Sequence, residues 1–141
     1  MKHAVCLFCL FPLAAVLVTS CSGQSLKPGE SDYGGAGGTL TAVEPASYEE
    51  VIQATNAAMK GLDLKPDIRE RDGFRTFIVG ETIMGQVSQS HEIRVWISRL
   101  TDRTTQIEMR ILGRRDEQRL QAIHQEIRQR LGLPAAPAAT K

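Results

Sequence analysis

The stretch Glu92-Ile93-Arg94-Val95-Trp96-Ile97-Ser98 alternates without interruption between aliphatic side chains and polar or aromatic ones. Successive side chains of a β-strand point to opposite faces, so the pattern predicts a strand with Ile93, Val95 and Ile97 on one face. Arg94 and Trp96 then lie on the other face. One dry face and one wet face predict an antiparallel sheet that is covered on a single side.

The same period of two recurs in the neighbouring segments. Ile107, Met109 and Ile111 share one face of the next predicted strand. Asp72-Gly73 is typical of a hairpin turn, and Pro66 favours an edge position because proline cannot donate to a strand ladder. Strands are therefore predicted over residues 39–43, 64–71, 74–83, 92–98 and 106–111.

Two helices are predicted to cover the dry face. Ser47 and Glu50 have the spacing of a capping box, which starts a helix over 47–60 that Gly61 ends. A second helix over 116–131 carries a narrow apolar stripe of Leu120, Ile123, Ile127 and Leu131. The fold class is α+β: two helices packed on one face of a small antiparallel sheet, in the order β-α-β-β-β-β-α.

The N-terminal segment reads as an export signal. A short positive start at residues 1–3 precedes the apolar run 4–18, which is too short to cross a bilayer core because about 20 residues are needed. Val18-Thr19-Ser20-Cys21 resembles the bacterial lipobox, which implies attachment of diacylglycerol to the Cys21 thiol and cleavage before it. The alternative is an ordinary cleaved signal in which Cys21 is incidental.

Location follows from that resemblance. Ser22 follows the lipidated cysteine, which by the sorting rule of Gram-negative lipoproteins implies the outer membrane, with the domain facing the periplasm. The expected organisation is a signal peptide over 1–20, the lipidated Cys21 with a mobile Gly/Ser-rich tether over 21–38, the α+β domain over 39–132, and a disordered Ala/Pro tail over 133–141. The lipid anchor makes the membrane a partner.

Charge and cysteine content exclude several function classes. Once Lys2 is removed with the signal, the 17 Lys and Arg residues become 16, equal to the 16 Asp and Glu residues. A neutral balance argues against nucleic acid as a partner. Cys6 and Cys9 leave with the signal, so the processed domain has no free thiol for a disulfide.

No catalytic site, metal site or cofactor is predicted. The processed domain has two histidines, His91 at a strand end and His124 at a helix flank, and neither has a second ligand at helical spacing. A hydrolase trio of nucleophile, base and orienting carboxylate is conceivable from the sequence. It would consist of Ser88 or Ser90, His91, and Asp72 or Asp102. A small periplasmic hydrolase using His91 is therefore the alternative function.

Trp96 is the candidate binding residue because it lies on the wet face, flanked by Arg94 and by Arg110 on the next strand. Such an aromatic anchors a protein partner. The alternative interpretation gives Trp96 a structural role, in which it packs under the loop over 85–90 or stacks on an arginine. The leading hypothesis is a non-enzymatic module that binds another envelope component through the open sheet face bearing Arg94, Trp96, Glu108 and Arg110. A passive structural role in the envelope is the third hypothesis.

The chain resembles the DUF3568 family of small bacterial lipoproteins in the combination of its features. These are the lipobox, the tether, the short first strand, the capped helix, the antiparallel meander of the four following strands, and the last helix. The resemblance covers residues 34–131. It implies the location and the fold given above, and it carries no catalytic residues to this chain.

Overall fold

The computed structural model describes residues 25–34, 38–82, 92–113 and 115–136. These residues form eight elements, which are β1 Ser31–Gly34, β2 Thr39–Glu44, α1 Tyr48–Gly61, β3 Leu64–Arg71, β4 Arg75–Thr82, β5 Ile93–Thr101, β6 Thr104–Ile111 and α2 Glu117–Arg130. The predicted α+β class is confirmed, and the predicted order β-α-β-β-β-β-α runs from β2 onward.

All six strands belong to one antiparallel sheet with the order β1-β2-β6-β5-β4-β3. The last four strands in the chain form the predicted meander, and β3 is an edge strand, as Pro66 indicated. Helix α1 carries the chain from β2 across the sheet to β3, which leaves β2 beside β6. The sheet therefore places β5 and β6, the most regularly alternating segments, at its centre.

The core lies between the predicted dry face and the two helices. Ile93, Val95 and Ile97 are each 0% exposed. They belong to one apolar cluster with residues of both helices, among them Val51, Ile52, Met59, Leu120, Ile123 and Ile127. Because both described helices pack on this face, the other face of the sheet carries the side chains that remain partly exposed.

Helix α1 begins as the sequence predicts and ends slightly later. Ser47 is the N-cap: its backbone N–H donates to Glu50 Oε2 at 2.9 Å, and its hydroxyl donates to the same oxygen at 2.6 Å. Gly61 is the last helical residue, and the left-handed conformation is taken by Asp63, with φ 55°. The prediction of Gly61 as terminator is wrong by two residues, since aspartate also tolerates this conformation.

Helix α2 starts at an aspartate cap and ends at a glycine. Asp116 Oδ1 accepts a hydrogen bond from the Arg119 backbone N–H at 3.0 Å, and Gly132 has φ 68°. Its buried residues include the predicted Leu120, Ile123 and Ile127. Two polar residues of α2, His124 and Arg128, are buried as well, which the apolar stripe did not predict.

Strand β1 lies inside the segment for which the sequence predicts a mobile tether. Ser31 pairs with Ala42 and Tyr33 with Leu40, and the Tyr33 ring packs against the core. Gly38, at φ 67°, makes the return to β2 possible: a Cβ there would lie 2.7 Å from the Tyr33 hydroxyl oxygen. Four residues are too few for an alternating pattern to predict a strand. This strand forms through its pairing with β2.

Candidate functional site

The open face of the sheet brings together the three residues that the sequence selects for binding. Arg94 and Arg110 are directly paired across β5 and β6, and Trp96 is two residues along β5 from Arg94. All three side chains are partly exposed. We call Arg94, Trp96 and Arg110, with Phe77 on β4, the open-face cluster.

Trp96 lies between two neighbours on the flanking strands. The Phe77 ring, directly paired with it on β4, stacks at a centroid distance of 5.1 Å and an interplanar angle of 16°. On β6, Arg110 Cζ lies 5.9 Å from the centre of the Trp96 ring. The structure therefore shows the arginine contact that the sequence allowed, and Trp96 contacts an aromatic ring on one side and a cation on the other.

The two arginines of the cluster differ in their partners. Arg94 Nε lies 2.6 Å from Glu92 Oε1, which neutralises it locally. Arg110 Nε is buried and has no hydrogen-bond partner among the described residues. Arg110 is directly paired with the like-charged Arg94 and forms no ion pair with a described carboxylate, although Glu108, paired with Trp96, lies two residues before it on the same face of β6. Because Nε is buried, only the exposed part of the Arg110 guanidinium can meet an anionic or carbonyl group of a partner.

A second polar cluster lies inside the domain. Glu44, at the end of β2, is 0% exposed, and its Oε1 lies 2.6 Å from His124 Nε2. Arg128 Nη1 donates to Glu44 Oε2 at 2.7 Å, while Arg128 Nε donates to the Pro134 carbonyl at 2.8 Å. Each carboxylate oxygen thus has a partner, as a buried charge requires.

The sequence reasoning missed this buried cluster: it placed His124 at a helix flank and did not predict that the side chain is buried, with 2% exposed. Two signals were present. Glu44 lies on the same face of β2 as Leu40 and Ala42, which point into the core. His124 and Arg128 are four residues apart, so they share one helix face that also looks inward. The pairing itself joins distant segments, and the sequence pattern does not show it.

Asp72 of the predicted hydrolase trio and Glu50 of the capping box both have structural partners. Asp72 Oδ1 accepts hydrogen bonds from the backbone N–H groups of Phe74 at 2.7 Å and Arg75 at 2.6 Å, which lower the pKa of Asp72. The Ser47 hydroxyl and backbone N–H lower the pKa of Glu50 in the same way. Both groups are exposed and close a turn or cap a helix.

Several predicted features fall outside the described residues. Cys21 and the lipobox lie before residue 25, and His91, Ser88 and Ser90 lie within 83–91. The hydrolase trio and the lipid-attachment site therefore stay predictions. Asp102 is described and lies in the exposed turn between β5 and β6.

A model of the family described as "Protein of unknown function (DUF3568)" matches residues 4–130. The chain belongs to the DUF3568 family. No curated protein matches it. The matched range includes every described strand and both helices, so the open-face cluster and the buried cluster of this DUF3568 chain both lie within the family region.

Two further observations concern the described residues of the DUF3568 chain. Its residues 25–34, 38–82, 92–113 and 115–136 contain no group of three His, Cys, Asp or Glu side chains arranged to hold a metal ion. Neither of its described helices has both the length and the hydropathy that crossing a bilayer requires.

Proposed function

We propose that this DUF3568 protein is a lipid-anchored protein of the bacterial outer membrane. Its α+β domain faces the periplasm and binds another envelope protein without catalysing a reaction. The open-face cluster is the binding surface. The observation that carries the proposal is Trp96, fixed between Phe77 and Arg110 on the sheet face that neither described helix covers.

The anchor is supported by the N-terminal sequence. The family match begins at residue 4, so the segment with Cys21 falls inside the matched range. The described chain is tied to the sheet from Gly29, whose backbone N–H donates to the Val43 carbonyl at 2.6 Å. Gly29 follows Cys21 by eight residues, which span at most about 28 Å when extended. A lipid on Cys21 would therefore hold the domain close to the bilayer.

The binding surface is supported by its composition and rigidity. Tryptophan and arginine are the residues that most often contribute large binding energies at protein interfaces. Trp96 and Arg110 are held by stacking before any partner arrives, so binding costs little side-chain entropy. Arg110 is also partly exposed and forms no ion pair with a described carboxylate.

The test is a crosslinked pull-down from intact cells, comparing the natural chain with Trp96→Ala. The matched control is Phe74→Ala, which removes an aromatic ring that is 71% exposed in the β3–β4 turn. We expect Trp96→Ala to lose a specific crosslinked partner that Phe74→Ala retains. An unchanged partner set, with the Trp96→Ala domain still folded by circular dichroism, would exclude this surface.

Anchoring has a separate test. Metabolic labelling with a palmitate analogue should label the natural chain and not Cys21→Ala, and the processed mass should contain the lipid. An unlabelled, freely diffusing product would instead support an ordinary cleaved signal. The hydrolase alternative stays a prediction, to be tested by activity that His91→Ala abolishes.

A further inference from the structure

The two most exposed large apolar side chains of the described residues lie at one end of the sheet. Phe74 is 71% exposed in the β3–β4 turn, and Leu100 is 50% exposed near the end of β5. The Arg99 backbone N–H donates to the Phe74 carbonyl at 2.8 Å, which joins this turn to the end of β5, where Leu100 follows. Exposed apolar patches of this kind mark contacts with other proteins or with membranes.

Three exposed arginines surround these side chains. They are Arg75, Arg99 and Arg103. None of them forms an ion pair with a carboxylate of the described residues. Asp72 and Asp102 lie in the same two turns, so this end is not strongly charged, and its apolar side chains distinguish it. We call Phe74, Leu100 and the three arginines the exposed tip.

The exposed tip has the chemistry of a surface that meets phospholipid. Aromatic and aliphatic side chains gain free energy by leaving water for the acyl boundary of a bilayer. An arginine beside them can bury its aliphatic stem while its guanidinium stays at the head groups, where it binds phosphate through paired hydrogen bonds. Phosphate is present in zwitterionic and anionic lipids alike, so the contact needs no net charge on the membrane.

The chain from the proposed lipid anchor joins the domain at this same end. Glu44, the last residue of β2, pairs with Thr105, one residue after the start of β6 and beside the β5–β6 turn. Gly29 donates its backbone N–H to the carbonyl of Val43, one residue before Glu44. The eight residues that separate Gly29 from Cys21 therefore lead from the end of the sheet that carries the exposed tip.

We propose that the exposed tip contacts the head groups of the membrane in which the lipid on Cys21 is inserted. Phe74 and Leu100 enter the boundary between head groups and acyl chains, and the arginines bind lipid phosphates. This inference rests on the lipid anchor proposed above and adds which end of the domain faces the bilayer. Two side chains alone bind a membrane weakly, but the anchor raises their effective concentration, so a weak contact orients the domain.

This orientation leaves the open-face cluster accessible to a protein. Trp96 precedes Leu100 by four residues of β5, which span about 13 Å in a strand. The cluster therefore stands above the head groups, on a side of the domain. Phe74→Ala would loosen the orientation, while the lipid would keep the cluster beside the membrane.

The test measures how deep a single tryptophan lies in the bilayer. The processed, lipidated chain is reconstituted in phosphatidylcholine vesicles with brominated acyl chains, which quench tryptophan emission. In a Trp96→Phe background, Phe74→Trp reports on the exposed tip. The matched control is Leu62→Trp, at the C-cap of α1 and the opposite end of the sheet, where the native side chain is 38% exposed. We expect emission from position 74 to be quenched at least threefold more strongly and to shift to shorter wavelength.

Two further measurements complete the test. Adding Leu100→Asp should reduce the quenching at position 74, whereas Ile68→Asp, at a β3 residue that is 42% exposed, should leave it unchanged. The natural sequence avoids any effect of the substitutions on folding. In nanodiscs with gadolinium-labelled head groups, its backbone signals at Phe74 and Leu100 should broaden more than the signal at Leu62.

The outcomes separate this inference from the anchor on which it rests, provided that melting temperatures show intact folds. Stronger quenching and broadening at the exposed tip would support it. Equal effects at positions 74 and 62, in a chain whose mass contains the lipid, would overturn the orientation and leave the anchor intact. A processed mass without lipid would overturn both. If position 74 is unquenched in vesicles and crosslinks to a protein in intact cells, the exposed tip binds protein and the inference is wrong.

Discussion

Glu44 Oε1 and His124 Nε2 lie 2.6 Å apart, although the two residues are 80 positions apart in the chain. The contact joins the end of β2 to the middle of α2 inside the domain, and Arg128 completes it from the next turn of the helix. A buried carboxylate is tolerated only where its oxygens are satisfied, so this cluster specifies where α2 lies on the sheet.

Removing the charge of Glu44 should destabilise the domain strongly. In Glu44→Gln the buried guanidinium of Arg128 loses its anion, and breaking a buried pair on one side costs about 3–5 kcal/mol. Urea unfolding should show a lower midpoint with an unchanged slope. Glu70→Gln on exposed β3 is the control, and an equal loss in both variants would contradict the structural role of Glu44.

The Asp72 turn should contribute to acid sensitivity. The Phe74 and Arg75 backbone N–H groups hold the folded-state pKa of Asp72 below its usual 3.8. A lowered pKa contributes stability above the unfolded value, and that stability is lost as the pH falls through the folded value. When the pH is lowered from 5 to 2, the melting temperature of Asp72→Asn should therefore fall by less than that of the natural chain. Asp102→Asn, in the next hairpin turn, should behave like the natural chain.

Trp96 is the single tryptophan of the chain, so its fluorescence reports directly on the open-face cluster. Arg110→Gln removes the cation over its ring, which should redshift the emission, increase acrylamide quenching and cost about 1 kcal/mol of stability. Arg103→Gln in the exposed β5–β6 turn should change none of these. An unaltered spectrum in Arg110→Gln would show that the stacking does not persist in solution.

Gly38 should be intolerant of a side chain. In Gly38→Ala the new methyl meets the Tyr33 hydroxyl oxygen at 2.7 Å, in a left-handed conformation that costs about 1–2 kcal/mol for other residues. Hydrogen exchange of β1 should accelerate as the pairing with β2 weakens. Gly73→Ala, whose Cβ would meet nothing within 4 Å, is the matched control. Adding Tyr33→Phe should restore part of the protection, and no restoration would place the strain in the backbone or at Arg115, whose Cγ lies 2.9 Å from the new methyl.

The central sheet and the helix starts could be predicted because their signals are local. The alternation through Ile93, Val95 and Ile97 is set by the geometry of a single strand, and the Ser47–Glu50 cap involves one helix turn. The placement of Trp96 and Arg110 on one face follows from the same alternation. Strand β1 could not be predicted, because four residues contain too little pattern and their pairing partner, Leu40 for Tyr33, lies across a turn.

The sequence by itself determined the α+β class, the meander, the dry and wet faces of the sheet and membership of the open face, since all of these follow from side-chain periodicity along one segment. Only the tertiary structure decided that Phe77 and Arg110 hold Trp96 from opposite sides, that Glu44 meets His124 and Arg128 in the interior, and that Gln125 holds the backbone of Ala136. The reason is physical: periodicity shows which face a side chain takes, whereas its partner depends on how distant segments pack.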